Sequence, residues 1–397
     1  MNLLRKELAN GMTVLMEKRD LPVTSFCIAN RFGAIFEESK IKGIAHFIEH
    51  LLFTGTEKRT HEDISREIEK KGGILNAYTS QEITNFWFKL PTEHLDSGMD
   101  VLIDMLNNSV MNKEKFEKEK KVILEEIKMY HDSPRMSVME EIEKNLFEKP
   151  FADLIIGNPQ SVSSLERDFV FNYFKERYCP SNYVVVVVGG GDFDKICEKL
   201  ENSFEAKEFN FKHQEVVRKN AESVEKRPGI DQAHFVFAIH APNPGSDDLM
   251  ALHVLNSYLA EGMSSKLFLE IREKRGLAYS VRGDIQAEKN YAIYTIYVGT
   301  KKESVEEVKK LILEGFEKVE EMTEKELEES KERLIGLRKV ASEESSTVMN
   351  ELLFSELSGK AEDHYNFEEK IRKVTLADVK RLSKIDKYST AAVVPSD

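Results

Sequence analysis

Residues 43–56 read GIAHFIEHLLFTGT, and the five letters HFIEH place His46, Glu49 and His50 within an otherwise apolar segment. At about 100° of rotation per residue, these three polar side chains fall on one face of an α-helix and the apolar ones on the other. Histidines at positions i and i+4 can bind one metal ion, and a glutamate beside them can act on a water molecule. The stretch therefore predicts an amphipathic helix whose polar face is either a metal site or simply solvated.

A third ligand would distinguish the two, and residues 112–132, NKEKFEKEKKVILEEIKMYHD, offer one. In a helix, Glu119 and Glu126 fall on the same face as the apolar Phe116 and Ile123. Turning two carboxylates inward is costly unless a cation or a proton compensates them. We predict Glu126 as the third metal ligand and Glu119 as its supporting carboxylate. Ion pairs with the many nearby lysines are the alternative.

Composition limits the class of protein. A chain of 397 residues is too long for one ordinary core and predicts at least two domains. The formal net charge of −13 argues against a nucleic-acid partner. Three cysteines without CxxC spacing suggest neither a disulfide framework nor a thiolate metal site. No apolar run is long enough to span a membrane, and we expect a cytoplasmic protein with no membrane partner.

The glycines in VVVVVGGGDF, residues 184–193, raise the separate possibility of nucleotide binding. They do not form GxGxxG, and no GK[ST] follows them. These glycines are better explained as a turn after a buried strand.

An internal repeat divides the chain. The order helix, glycine, Ala-Tyr and aromatic strand occurs around Ala77-Tyr78 and again around Ala278-Tyr279, about 200 residues later. The most polar long segment between the halves is residues 205–228. We predict an α+β protein of two related domains, 1–215 and 216–397, each an antiparallel-rich mixed sheet packed with helices. The second half lacks HFIEH, so metal chemistry is expected only in the first.

Four segments together resemble one family of metallopeptidases: HFIEH with LLFTGT, NAYTSQEITNF at residues 76–86, EKEKKVILEEI at 117–127, and SSKLFLEIREKRGLAYSV at 264–281. The chain resembles the pitrilysin, insulysin and mitochondrial processing peptidase family over nearly its whole length. The resemblance implies domains of the LuxS and processing-peptidase type. It also implies a zinc endopeptidase that carries the inverted zincin motif His-x-x-Glu-His.

The resemblance assigns roles to the residues of the first half. His46, His50 and Glu126 match the ligands of one Zn²⁺ per chain. Glu49 matches the general base, and Glu119 matches the carboxylate that supports a ligand histidine.

Two further pairs match substrate-binding positions of the family. Asn76 and Ala77 match the strand edge on which an extended peptide is held by main-chain hydrogen bonds. Arg272 and Tyr279 match the pair that the second half offers to the substrate near the cleaved bond. Without the resemblance, Arg272 and Tyr279 would be interpreted as a surface arginine and a core tyrosine.

The resemblance also implies an assembly. Members of the family enclose substrate in a closed chamber of four such domains, and this chain supplies two, so we expect a homodimer acting on peptides or unstructured segments. The alternative is a non-catalytic processing or assembly subunit that uses the same fold to bind a partner chain or presequence.

Overall fold

A computed structural model describes residues 3–212 and 215–396. The chain forms two compact units. The first comprises Met1–Lys128, Asp153–Glu215 and Ser342–Glu356, and the second comprises Met129–Ala152, Val216–Ala341 and Leu357–Asp397. Each unit thus contains segments from both halves of the sequence. The assignment of a catalytic role to residues 1–215 and of a substrate-binding role to residues 216–397 stays a prediction.

The first unit contains a six-stranded sheet in the order β1-β2-β6-β3-β5-β4. All neighbouring pairs are antiparallel except β2 and β6, which are parallel. Its strands are β1 Leu3–Glu7, β2 Thr13–Lys18, β3 Val23–Asn30, β4 Ile74–Thr79, β5 Thr84–Pro91 and β6 Tyr183–Gly189. The valine-rich β6 is buried along its whole length, whereas β4 forms one end of the sheet and is partly exposed.

The second unit contains a five-stranded sheet in the order β7-β11-β8-β10-β9. Only β7 and β11 are parallel. Its strands are β7 Glu222–Arg227, β8 Ala233–Ala241, β9 Ala278–Ala287, β10 Ala292–Thr300 and β11 Ser389–Pro395.

Helices fill most of the remaining described chain. In chain order the α-helices are α1 Ile44–Leu52, α2 His61–Glu69, α3 Leu95–Asn108, α4 Lys113–Asp132, α5 Pro134–Leu146, α6 Pro159–Ser164, α7 Arg167–Arg177, α8 Phe193–Ser203, α9 Asp247–Leu259, α10 Val305–Glu317, α11 Glu324–Ala341, α12 Ser345–Ser358, α13 Phe367–Lys373 and α14 Leu376–Leu382. A π-helix spans Phe268–Lys274. Within residues 3–212 and 215–396, no helix combines the length and the apolarity needed to cross a membrane.

The two sheets repeat one topology. The strands β2, β6, β3, β5 and β4 of the first sheet correspond, in that order, to β7, β11, β8, β10 and β9 of the second. In both sheets the first two strands of this series are parallel, and each following strand is antiparallel to its neighbour. The repeated Ala-Tyr pairs lie at the same place, in β4 and in β9. The prediction of two related α+β domains with mixed sheets is therefore confirmed.

Candidate active site

The helix α1 contains HFIEH and is amphipathic, with its apolar residues on one side. Ile44, Ala45, Phe47, Ile48, Leu51 and Leu52 are all buried. The polar face holds His46, Glu49 and His50, which are half-buried. Helix α1 packs against β4 and β5, so this polar face lies beside the end of the first sheet.

The helix α4 brings two glutamates to the same place. Its buried residues are Phe116 and Ile123, and the ring of Phe116 lies 4.8 Å from that of Phe47 in α1. Glu119 and Glu126 share this inner face and are each 23% exposed. Packing of the two aromatic rings therefore fixes which face of α4 meets α1.

Ion pairs between glutamate and lysine were the alternative to a metal site on α4, and they occur on its other face. Lys128 lies 2.6 Å from Glu125, and Lys120 lies 3.6 Å from Glu117. Both partner glutamates are largely exposed. The inward glutamates instead lie beside histidines.

Three potential ligand atoms converge between the two helices. The Oε2 atom of Glu126 lies 3.9 Å from Nε2 of His46 and 3.6 Å from Nε2 of His50. Each of His46, His50 and Glu126 offers one potential ligand atom, and these three atoms all lie within 4.8 Å of one another. Zinc bonds of about 2.0–2.2 Å to nitrogen and oxygen place tetrahedral ligand atoms at comparable separations.

The Glu126 oxygen also carries an unmet bonding requirement. Its Oε2 atom is buried and has no hydrogen-bond partner in the part of the chain that the structure describes. A buried carboxylate oxygen in that state is destabilising unless a cation or a proton compensates it. The donor set of two imidazoles and a carboxylate, facing one another, therefore fits a zinc ion.

Glu119 contacts the opposite nitrogen of one of these imidazoles. Its Oε2 atom lies 3.5 Å from Nδ1 of His50. With Nδ1 turned to a carboxylate, the ring of His50 presents Nε2 to Glu126 and to any bound ion. The carboxylate of Glu119 is therefore close enough to restrain the orientation of the His50 ring.

The pKa values of the two histidines are shifted in opposite directions. Burial, followed by the effect of His50, lowers the pKa of His46 to about 3, so His46 is neutral near pH 7. Neutral imidazole is the form that binds a metal ion. Burial also acts to lower the pKa of His50, but the carboxylates of Glu119, Glu49 and Glu126 outweigh it and the pKa is raised.

Glu49 lies beside the ligand atoms and is held by a residue that the sequence did not identify. Its Oε2 atom accepts a hydrogen bond of 2.5 Å from the hydroxyl group of Thr79, at the end of β4. Burial raises the pKa of the Glu49 carboxyl, and the Thr79 hydrogen bond opposes that rise. No periodic pattern marks Thr79, because the contact joins a helix to a strand that is distant in sequence.

A cleft of about 690 Å³ adjoins these groups. Glu49 and His50 of α1, Asn76 of β4 and Glu119 of α4 contribute to its lining. The cleft thus runs from the candidate metal ligands to the end strand of the sheet.

Ala77 has an amide that points away from the sheet. Its N–H donates to the side-chain oxygen of Asn76 at 2.8 Å, instead of to β5. Successive residues of a strand direct their backbone groups to opposite sides, so the N–H and C=O groups of Ala77 face the free edge of β4.

Arg272 and Tyr279 lie in the second unit, in the π-helix and in β9. The guanidinium carbon of Arg272 lies 5.0 Å from the centre of the Tyr279 ring, a cation–π contact. Tyr279 is 78% exposed, so the interpretation of this tyrosine as a core residue is wrong. It lies in β9, the end strand of its sheet, where alternate side chains face solvent.

Comparison with protein families gives two matches. A model described as Insulinase (Peptidase family M16) matches residues 14–160, and one described as Peptidase M16 inactive domain matches residues 164–334. The first match contains HFIEH and α4, and the second contains Arg272 and Tyr279.

Individual relatives match over most of the chain. The chain is 31% identical to the Bacillus subtilis protein named Uncharacterized zinc protease YmxG, covering 98% of this chain and 97% of that protein. It is 30% identical to the Mycobacterium tuberculosis protein named Uncharacterized zinc protease Rv2782c, covering 90% and 83%.

Solved structures share the fold at lower identity. A protease from Helicobacter pylori superposes with a TM-score of 0.92 at 21% identity and 99% coverage of both chains. A Pseudomonas fluorescens structure titled as a peptidase M16 inactive domain gives 0.91 at 18% identity, covering 100% of this chain and 98% of that chain.

Proposed function

The chain belongs to peptidase family M16, and on that basis we propose that it is a zinc-dependent endopeptidase that hydrolyses peptides or unstructured polypeptide segments. The observation that carries this proposal is the buried, unpartnered Oε2 of Glu126 facing Nε2 of both His46 and His50. Relatives named as zinc proteases support the choice of zinc.

In the proposed mechanism His46, His50 and Glu126 would hold one zinc ion per chain. When bound, zinc would supply a Lewis acid that polarises a peptide carbonyl and acidifies water at the site. Glu49 takes the proton of the attacking water and then gives it to the leaving amine. Glu119 keeps the imidazole of His50 in the orientation that directs Nε2 at the ion.

The substrate is bound as an added strand and by the second half of the chain. We propose that Asn76 and Ala77 offer the free edge of β4 to an extended peptide, which favours unfolded segments over folded proteins. The guanidinium group of Arg272 and the hydroxyl group of Tyr279 bind the substrate carbonyl as negative charge develops on its oxygen. Their exposure and mutual contact are compatible with this role.

We further propose that two copies of the chain assemble as a cytoplasmic homodimer that encloses the substrate in a closed chamber. One chain carries both the zinc-binding residues and the Arg272 and Tyr279 pair, so a dimer of identical chains has every proposed role filled. A chamber of this kind admits extended chains and excludes folded proteins.

The test of the function is hydrolysis of an internally quenched peptide by the purified protein. We expect cleavage that 1,10-phenanthroline abolishes and added zinc restores, with fragments whose masses identify internal cleavage sites. An unfolded protein should be cleaved and the same protein, folded, should not. Absence of chelator-sensitive hydrolysis, together with co-purification of an unlike chain, would favour the non-catalytic subunit instead.

Replacing Ala77 with proline tests the strand edge. Proline lacks the N–H group that faces the free edge, and it is tolerated there because β5 does not use that group. Loss of one hydrogen bond worth about 0.5–1.5 kcal/mol should lower kcat/KM by roughly 2- to 10-fold, without change in zinc content. Ala77→Val, which keeps the N–H, is the control, and equal kcat/KM for the two variants would contradict peptide binding at this edge.

A further inference from the structure

The N-terminus of α1 is capped in an unusual way. The residue before the helix is Gly43, which has no side chain to cap it and adopts a φ of 93°. Instead, the carboxylate of Glu37 accepts hydrogen bonds from the amides of Gly43, at 2.9 Å, and Ala45, at 2.7 Å. A single distant side chain therefore satisfies two of the amides that a helix leaves unpaired at its start.

Glu37 does this from inside the protein. Its side chain is fully buried, and Lys42, the nearest opposite charge, is 1% exposed. The ammonium nitrogen of Lys42 lies 3.8 Å from Glu37 and donates to the carbonyl oxygen of Ala34 at 2.6 Å. Burial raises the pKa of Glu37 to about 7, while Lys42 and the amides of Ala45 and Gly43 oppose that rise.

A buried ion pair is an expensive way to start a helix. Exposed threonines, Thr60 and Thr375, begin α2 and α14 with capping boxes that require no buried charge. Removing two charges from water costs several kcal/mol per ion, and their mutual attraction does not reliably offset that cost. Stability alone therefore does not account for Glu37, whereas a requirement for one fixed helix position does.

The neighbouring backbone restrains the same point from a second side. The hydroxyl group of Ser161 donates to the carbonyl oxygen of Lys42 at 2.7 Å. A Cβ atom on Gly43 would lie 2.6 Å from the carbonyl oxygen of Ile156, so the backbone at Ile156 lies too close to Gly43 for any side chain at this position. The first turn of α1 is held between this backbone and the Glu37 carboxylate, one residue before His46.

We propose that Glu37 is a positioning residue for the metal centre, with Lys42 as its counter-ion. By fixing the amides of Gly43 and Ala45, Glu37 sets the axial position and the rotation of α1, and so aims Nε2 of His46 at the atoms contributed by α4. The inference rests on the proposed function only in taking the ion to be zinc. It predicts that Glu37 influences metal affinity although it touches no ligand side chain.

The test compares Glu37→Gln with Glu38→Gln in the full-length protein. Glu38 is the adjacent, exposed glutamate, so its replacement is a matched control. Zinc Kd is measured by competition with a chromogenic chelator, and the absorption bands of the cobalt-substituted proteins report the ligand geometry. We expect Glu37→Gln to raise the zinc Kd by about 10- to 100-fold, the range for partners outside the ligand set, and to alter the cobalt bands. At saturating zinc, kcat should fall while KM is unchanged, and Glu38→Gln should match the wild type.

A double variant, Glu37→Gln with Lys42→Met, guards against misfolding because it leaves no unpaired buried charge. It should fold and show the same weakened zinc binding. If Glu37 has only a structural role, both variants should lose thermal stability while zinc Kd and the cobalt bands stay unchanged, and this result would overturn the proposal. Failure of both variants to fold would also overturn it. If the wild type binds zinc but hydrolyses no peptide, the proposed function fails while the comparison of Kd values still decides the role of Glu37.

Discussion

Glu49→Gln is expected to lower kcat for peptide hydrolysis by about 10²- to 10⁴-fold, the contribution of a general base, while the protein retains about one zinc ion per chain. The amide has the shape of the carboxylate, and its oxygen can still accept the hydrogen bond from Thr79. It cannot accept a proton from the attacking water. Because Glu49 is not one of the three converging ligand residues, metal binding should persist.

A suitable control for this substitution is Glu62→Gln, since Glu62 lines the same cleft but is exposed. Initial rates at saturating peptide give kcat, and elemental analysis gives zinc content. Wild-type kcat in Glu49→Gln would show that another group moves the proton. Loss of zinc from that variant would instead place Glu49 among the ligands.

Helical periodicity is sufficient to predict which face of each helix carries the candidate ligands. His46, His50 and Glu126 converge in the structure because each lies on a helix whose apolar face is unambiguous in the sequence. Burial of Phe116 and Ile123 fixes the rotation of α4, and Glu119 and Glu126 follow from that rotation. The roles assigned to these residues are a separate matter, which mutation and metal analysis must test.

Contacts between distant segments could not be predicted in the same way. Glu37 and Thr79 act through hydrogen bonds to another element, and neither lies in a periodic pattern that marks it. Helix α5 packs on β8 and β11, so residues 129–152 belong to the second unit despite their place in the first half of the sequence. Sequence patterns describe the faces of single elements and do not specify which surfaces those faces contact.

The two units differ at the helix that carries the candidate metal ligands in the first unit. In the shared topology α9 occupies the place of α1, between the second and third of the repeated strands. Helix α1 leaves one face polar, whereas α11, α13 and α14 pack around α9. The histidine of α9, His253, is held among these helices, where burial lowers its pKa to about 4. The face of α9 that corresponds to the polar face of α1 therefore packs among helices, whereas the polar face of α1 borders a cleft.

Glu126→Gln is expected to weaken zinc binding at least about 10²-fold, since even partners outside the ligand set contribute 10- to 100-fold. The change replaces an anionic carboxylate, whose buried Oε2 atom has no hydrogen-bond partner among the described residues, with a neutral amide. At free zinc 100 times the wild-type Kd, binding stabilises the wild type by about 2.7 kcal/mol, and a 100-fold weaker variant retains only about 0.4 kcal/mol. The rise in Tm on adding zinc should therefore largely disappear, and hydrolysis with it.

The neighbouring residue provides the control for Glu126. Glu125→Gln makes the same chemical change one position earlier, on the exposed face where Glu125 pairs with Lys128, and surface pairs contribute little to stability. Its zinc Kd and its zinc-dependent rise in Tm should match the wild type. Without zinc, Glu126→Gln should be about as stable as the wild type, because Oε2 of the carboxylate makes no hydrogen bond that the amide would lose and only its approaches to the imidazoles of His46 and His50 are weakened. Equal zinc affinity in the two variants would exclude Glu126 from the ligand set, whereas loss of apo stability would show that its carboxylate serves the fold.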